Sequence, residues 1–460
     1  MPFALTTGMG YSPSESDMVT VVTDNRLFSP LFARGAVRAG EQAWLQAMLD
    51  AEAALARAVE RADLAPPGSG AAVTRAARAE NFDARAIGEA GTAIGNPVQA
   101  LVKALTSALP ENTPGTALAV HRGATSQDII DTAAMLIARQ ALTAIMEDLD
   151  HVAGQAASLA EEHASTVMAG RTLLQQAVPT TFGLLAATWL SAVDEASAEL
   201  RAVRDTKLAL QYGGAAGTLA SLGDAGLRVT GYFAEELDLP VPALPWHTDR
   251  QRILCLACAL TATCAVLGKM ARDVTLLSQT EIAEVAEGAA GGSSAMPHKQ
   301  NPVASVVILG CTKQAPGLLA TVAAAAEQEL QRAAGAWHAE WQPLSHLLEL
   351  TGSAASWSAG LLSDLRVFPA RMRANLDSSR GLPMAEHVTA LLAPALGRLE
   401  AHELVAKASK EDADLIDALL ADDRVTLSRE ELDRALAPES YLGSARQFVA
   451  RALERHSLLA

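Results

Sequence analysis

Apolar residues recur at helical spacing through most of this chain. Between 42 and 64 they fall three and four apart among Glu and Arg, which predicts an amphipathic helix. Leu142, Leu149 and Ala156 lie seven apart, as do Ile145, Val152 and Leu159. These two rows form an a/d seam, with Glu147, Asp148, Asp150 and Glu161 elsewhere on the helix. Long helices are also predicted over 181–210, 249–285 and 303–334, and another opens near Leu344. Pro66-Pro67-Gly68 and the stretch from Pro110 to Gly115 interrupt the pattern, the second as a domain boundary. Beyond about Ala359 the helices become shorter and more charged, with Glu411-Asp412-Ala413-Asp414 and Asp422-Asp423 on turns. No alternation is strong enough to predict a sheet, and the first twenty residues read as a loose tail. The pattern therefore predicts an all-α chain around a long-helix bundle. Its parts are an N-terminal helical domain (1–118), a central bundle (119–359) and a C-terminal helical domain (360–460).

Composition narrows the function. Half of the 460 residues are hydrophobic and 4% are aromatic, which excludes disorder, collagen-like sequence and a disulfide-stapled miniprotein. The formal charge of −16 disfavours sequence-independent nucleic-acid binding and anionic membranes, so neither is an expected partner. An anionic ligand would need a local cluster of positive groups. Cys255 and Cys258 form a C-x-x-C with no nearby His or second pair, and read as part of a buried helix. The uncharged stretch from Thr172 to Val193 contains Gln175, Gln176 and Pro179, and reads as the start of a buried helix rather than a membrane span. The N-terminus lacks a basic start followed by an apolar run, so a cytoplasmic location is expected.

A few segments interrupt this background. Gly291-Gly292-Ser293-Ser294-Ala295-Met296-Pro297-His298-Lys299-Gln300-Asn301-Pro302 supplies free N–H groups, two hydroxyls, a cation and an amide before a helix opening near Val303. Such a loop suits a carboxylate, or the doubly charged aci-carboxylate that forms when a carbanion develops beside one. An ordinary polar connection is the alternative. His121-Arg122-Gly123-Ala124-Thr125-Ser126-Gln127-Asp128 offers a cation and two hydroxyls at a helix start, or simple capping by Ser126. Gly170-Arg171-Thr172-Leu173-Leu174-Gln175-Gln176-Ala177 reads as a polar break between helices. Half of the six tryptophans fall in Pro245-Trp246-His247-Thr248-Asp249-Arg250 and Ala336-Trp337-His338-Ala339-Glu340-Trp341. No metal-ligand spacing, P-loop, dinucleotide fingerprint or nucleophile elbow is present.

Taken in order, these segments resemble the fumarase/aspartase superfamily. Its signature Gly-Ser-Ser-x-Met-Pro-x-Lys-x-Asn is matched at every fixed position from Gly292 to Asn301. The Thr125-Ser126 pair, Gly170-Arg171-Thr172 and Gln279-Thr280-Glu281 stand in the expected order. Within the superfamily the chain is similar to the 3-carboxy-cis,cis-muconate cycloisomerases, on the segment from Trp44 to Arg57, Asn96-Pro97-Val98 and the two Trp-His segments. The resemblance implies a homotetramer whose central helices form one core, with active sites assembled from three subunits. It implies a di- or tricarboxylate substrate and no metal or organic cofactor.

Carried over by residue, Ser293 is the expected base. Lys299, Asn301 and the loop N–H groups hold the aci-carboxylate, and Thr125 and Ser126 hold the same or a second carboxylate. His121 is expected to join Ser293 and Lys299 in catalysis. Arg122, Arg171, Thr172, Gln176, His247, Arg250, Ser294 and Met296 are expected around the substrate. For the general acid, His121, His247, His338 and a water on Gln176 all stay open. Many superfamily lyases carry His where this chain has Leu173, and many cycloisomerases carry His at Gln176 and Arg at Gln300. The implied reaction is reversible lactonisation of carboxymuconate. The alternative is a succinate-type C–N lyase releasing fumarate, with nitrosuccinate first because it needs fewer cations, and adenylosuccinate or argininosuccinate after it.

Overall fold

A computed structural model describes residues 27–110, 115–288, 291–292, 296, 299–410 and 414–459. The expected N-terminal tail and positions 411–413 of the acidic turn lie outside the described residues. The first helices are α1 (Ser29–Phe32), α2 (Glu41–Arg61), α3 (Ser69–Ala76), α4 (Ala84–Gly91) and α5 (Val98–Ser107). Then come α6 (Ser126–Glu162), a hairpin of β1 (Val167–Thr172) and β2 (Gln175–Thr181), α7 (Phe182–Lys207), α8 (Gly226–Leu237) and α9 (Gln251–Leu277). Short strands β3 (Val285–Ala286), β4 (Gly291–Gly292) and β5 (Gln300–Asn301) lead to α10 (Val303–Thr312), α11 (Ala315–Ala325) and α12 (Ala336–Ser363). After β6 (Arg366–Val367) the chain continues through α13 (Pro369–Asp377), α14 (Ala385–Leu396), α15 (Arg398–Ala408), α16 (Leu415–Leu420), α17 (Arg429–Leu436) and α18 (Ala445–Leu459).

The seam predicted for the central helix lies on α6, and all six of its residues are buried. That face packs along α7, α12 and α2. At 37 residues α6 is about 55 Å long, so it can support sites at both ends. Gly183 lets α7 start against the end of α6. A Cβ there would stand 2.6 Å from the Ala160 carbonyl oxygen and the Ala164 nitrogen. The predicted helix at 42–64 is α2, which buries Leu45, Met48, Leu49, Leu55, Ala56 and Val59.

Four expectations change. The 249–285 helix stops at Leu277, where the chain turns through 278–284 into β3. The 303–334 helix is two helices, broken at Lys313–Gln314 ahead of Pro316, and it ends at Ala325. The helix expected near Leu344 starts eight residues earlier and runs through Pro343. The Thr172–Val193 stretch opens on the last residue of β1 and runs through β2, and β1 pairs with β2 antiparallel, so the 170–177 segment is a hairpin tip rather than a break between helices. Its central residues Leu173 and Leu174 both have positive φ, 53° and 65°, the pattern of a two-residue I′ turn.

One apolar core joins α2, α5, α6, α7, α9 and α12, so residues before and after 118 share it. A separate cluster from Val388 to Leu432 holds α14 to α17 together. α18 leaves that lobe and packs back on α7, placing Val449 in the main core. The C-x-x-C pair lies on α9, but Cys258 is exposed and Cys255 half-buried, so that face points away from this chain's core. Three segments have the length and composition of a membrane span: α6, α9 and the Val303–Ala325 stretch. Buried fractions of their most apolar windows are 78%, 50% and 28%. The last two thus leave much apolar surface uncovered in one chain.

Candidate active site

The signature segment is itself a small hairpin. Gly291 pairs with Asn301 and Gly292 with Gln300, antiparallel. Ser293 and Ser294 lie outside the described residues. Met296 and Lys299 are exposed, Asn301 is half-buried, and the Lys299 N–H donates to the Met296 carbonyl at 3.0 Å. The start of α10 is already occupied. Buried Glu287 accepts the N–H groups of Ala304 at 3.0 Å and Ser305 at 2.9 Å, and the Ser305 hydroxyl at 2.7 Å. The start of this helix is thus satisfied by the chain's own carboxylate, which takes two of its free N–H groups.

The second segment opens α6. Thr125 is its N-cap and Ser126 its first residue, both half-buried, while Arg122 is exposed. Capping therefore falls to Thr125 rather than to Ser126. Asp128, fully buried, accepts the Thr125 N–H at 3.0 Å. It also takes the N–H groups of Gly213 and Gly214 at 3.0 and 2.8 Å, the Gln211 amide at 3.1 Å and His247 Nε2 at 2.7 Å. A carboxylate with five donors ties the loop at 211–214 to the start of α6. His121 is gripped twice by buried Glu52 on α2, whose Oε2 accepts its backbone N–H at 2.8 Å and whose Oε1 lies 2.7 Å from Nδ1. Burial opposes the imidazolium, but the hydrogen bond and charge of Glu52, with the charge of Asp128, hold its pKa above the ordinary value. The Tyr212 hydroxyl donates to the Arg122 carbonyl at 2.6 Å, and burial pushes its pKa far above the ordinary value.

The two Trp-His segments meet one helical turn deeper, around Asp131. Arg250 is sandwiched between Asp131 (2.8 and 3.0 Å) and Glu340 (2.7 to 3.1 Å), with its side chain 1% exposed. Trp337 Nε1 donates to Asp131 at 3.0 Å, and Arg250 lies over the Trp246 ring. Every guanidinium nitrogen of Arg250 is engaged in this buried ion-pair network. His247 is likewise buried, with Nε2 committed to Asp128. His338 is exposed, and its Nε2 meets the Gly95 carbonyl at 3.0 Å.

On the β1–β2 hairpin, Arg171 makes a two-pronged pair with fully buried Glu284 at 2.9 and 2.6 Å. Asn375 of α13 donates to the same carboxylate at 2.8 Å. Gln176 donates to the Asn375 carbonyl at 3.2 Å and accepts from the Ser379 hydroxyl. Both side chains fasten the hairpin to the C-terminal lobe through these contacts. Thr172 and the Leu173-Leu174 tip stay exposed, Leu173 at 97%. Among the described residues, no hydrogen bond or ion pair of Lys299, Arg122 or Thr172 reaches another of the three segments. Among the described residues, these contacts leave the three segments unjoined within one chain.

A family model described as lyase matches residues 28–317, and one described as adenylosuccinate lyase C-terminus matches 381–452. The chain belongs to the fumarase/aspartase superfamily. It is an enzyme of that superfamily, of the lyase or cycloisomerase kind. It is 45% identical over 439 residues to 3-carboxy-cis,cis-muconate cycloisomerase of Bradyrhizobium diazoefficiens, covering 93% of this chain and 97% of that one. It is 43% identical over 457 residues to nitrosuccinate lyase of Streptomyces davaonensis, covering 95% and 96%. The crystal structure of 3-carboxy-cis,cis-muconate lactonizing enzyme from Pseudomonas putida superposes with a TM-score of 0.90 at 42% identity, covering 94% and 99%.

The acidic residues Glu52, Asp131, Glu284, Glu287 and Glu340 were not expected from the sequence as site supports. A signal was available for three of them. Extending the α6 seam by sevens toward its start passes Met135 and Ala138 and lands on Asp128 and Asp131, all buried. Glu52 occupies the next core position after Leu45, Met48 and Leu49 on α2. Glu340 shares the apolar face of Leu344 and Leu347 on α12. A carboxylate on a core stripe must be paired, and so marks a network.

Proposed function

We propose that this enzyme catalyses reversible lactonisation of 3-carboxy-cis,cis-muconate. The observation that carries the reading is near-full-length identity of 45% to a cycloisomerase of that substrate, together with an intact signature from Gly292 to Asn301. In the ring-opening direction Ser293 takes the proton next to a carboxylate, and the C–H electron pair moves into the aci-carboxylate. Collapse then breaks the lactone C–O bond, leaving the double bond and a free carboxylate. Lys299, Asn301 and the loop N–H groups stabilise the doubly charged intermediate, and Thr125, Ser126 and His121 hold a carboxylate across from it. Lactonisation is the reverse, with Ser293 returning the proton.

The active enzyme in this reading is a cytoplasmic homotetramer. Support comes from the uncovered apolar surface of α9 to α11 and from the three segments that are not joined to one another among the described residues of one chain. We also keep the three-part division at 118 and 359 as a proposal, with the separate α14–α17 cluster in its favour. A second reading, elimination of nitrous acid from nitrosuccinate, is favoured by the 43% identical lyase and by neutral Gln176 and Gln300. Purified protein given carboxymuconate and nitrosuccinate side by side decides between them. Loss of muconate absorbance supports the first reading, and fumarate from nitrosuccinate without that loss replaces it by the second.

A further inference from the structure

We propose that Glu52 is the positioning residue of this site, holding His121 as the imidazolium with Nδ1–H on its carboxylate so that Nε2–H donates to a substrate carboxylate. The inference rests on the reading above for the nature of that carboxylate. Glu52 is fully buried on the apolar stripe of α2, between Met48, Leu49, Leu55 and Ala56. A carboxylate in such a place must have its charge and both oxygens satisfied. Here both oxygens go to one residue, and among the described residues His121 is the only cationic partner within ion-pair distance. Pairing the backbone and the ring of the same histidine fixes its position and its rotation together.

The loop around it is held in a costly conformation. His121 has φ of 53° and Gly123 of 74°, and a Cβ at 123 would stand 2.7 Å from the Tyr212 hydroxyl and from Leu222. A left-handed histidine persists only where its surroundings impose it. Glu52 grips one side of this loop, and Tyr212 pins the Arg122 carbonyl next to it.

With Nδ1 facing a carboxylate, Nε2 is the nitrogen left for a ligand, and no partner for it is found among the described residues. The ring is four residues from Thr125 and keeps 23% of its side-chain surface exposed. Glu52 on α2 and Asp128 on α6 both favour the cation, while Arg122 is the neighbouring charge along the loop and Tyr212 the other titratable group. During ring opening the departing carboxylate oxygen takes the C–O electron pair. A charged Nε2–H donates a hydrogen bond to it without giving up its proton, so the Glu52–His121 pair ends as it began.

The test uses full-length Glu52→Gln and His121→Gln, with tricarballylate as an unreactive tricarboxylate probe in calorimetry from pH 6 to 9. Wild type should lose affinity on a basic limb as His121 discharges. In E52Q that limb should move to lower pH. Between the two limbs binding should fall roughly ten- to hundredfold, with a proton taken up on binding. H121Q should lack the limb, and it leaves α2 untouched should E52Q not fold. The basic limb of kcat/KM for carboxymuconate should follow the same order. An E52Q enzyme with the wild-type limb, or an H121Q enzyme that keeps it, overturns the proposal. A limb that moves in binding while carboxymuconate is not consumed overturns the reaction and leaves the Glu52–His121 assignment standing.

Discussion

Replacing Glu340 by Gln should change how the stability of this enzyme depends on pH. Arg250 serves two buried carboxylates, Asp131 and Glu340, each with a side chain 3% exposed, so one cation faces two negative charges. Asp131 also draws on Trp337 and Gln127. Glu340 accepts the Gln328 amide at 2.7 Å besides Arg250, yet burial pushes its pKa from the ordinary 4.5 up to about 7 against the pull of Arg250. A raised acid is protonated in the folded chain while already ionised in the unfolded one. Its stabilising effect is complete below pH 4.5 and is lost as pH rises through about 7. Each tenfold change in proton affinity is worth about 1.4 kcal/mol, so the whole span amounts to about 3 kcal/mol. Urea titrations at one fixed protein concentration, from pH 5 to 8, should show the wild type losing about 2–3 kcal/mol relative to E340Q. Parallel curves for the two proteins would refute the reasoning and make Glu340 an ordinary ionised partner of Arg250.

Ser293→Ala should fold and assemble like the wild type by circular dichroism and light scattering, yet lose at least about a hundredfold in turnover. Wild-type-like turnover would remove Ser293 as the base. Asp128→Asn sets an amide NH2 against some of five donors, and should cost about 2–3 kcal/mol in urea unfolding. Gly183→Ala forces a methyl toward the Ala160 carbonyl at 2.6 Å, and should cost about 1–3 kcal/mol by the same measurement.

Where the apolar period was long and unbroken, the sequence was enough to read the fold. α2 and α6 follow directly from their stripes, because burying a stripe leaves a helix little choice of orientation. The period misled where another element took over. At α10–α11 the apolar run continues across the break before Pro316, since both helices bury residues of similar kind. The β1–β2 hairpin was hidden because Gly170 and Pro179 interrupt its alternation, the register shifts between Ala169 and Arg171, and a Leu-Leu tip carries none of the residues that favour such a turn. The site shows the same division. The signature hairpin and the start of α6 were legible as polar islands in an apolar background. The contacts of Arg171, Gln176, His247 and Arg250 were not, because each meets a partner 90 to 203 residues away that only the folded chain brings near.

The return of α18 to α7 makes the C-terminal lobe a closed loop instead of a tail. Its own apolar cluster, from Val388 to Leu432, lets it open without disturbing the bundle, but both ends stay anchored. The entropy released on opening is that of a tethered segment, and reclosure needs no search by a free end. A cut between 421 and 428 would therefore shed no fragment under native conditions. The piece carrying α18 stays in place through Val449, the Arg455–Glu195 pair and the His456–Asp194 pair. Damage to this lobe would pass unseen in native mass and appear only once the chain is denatured.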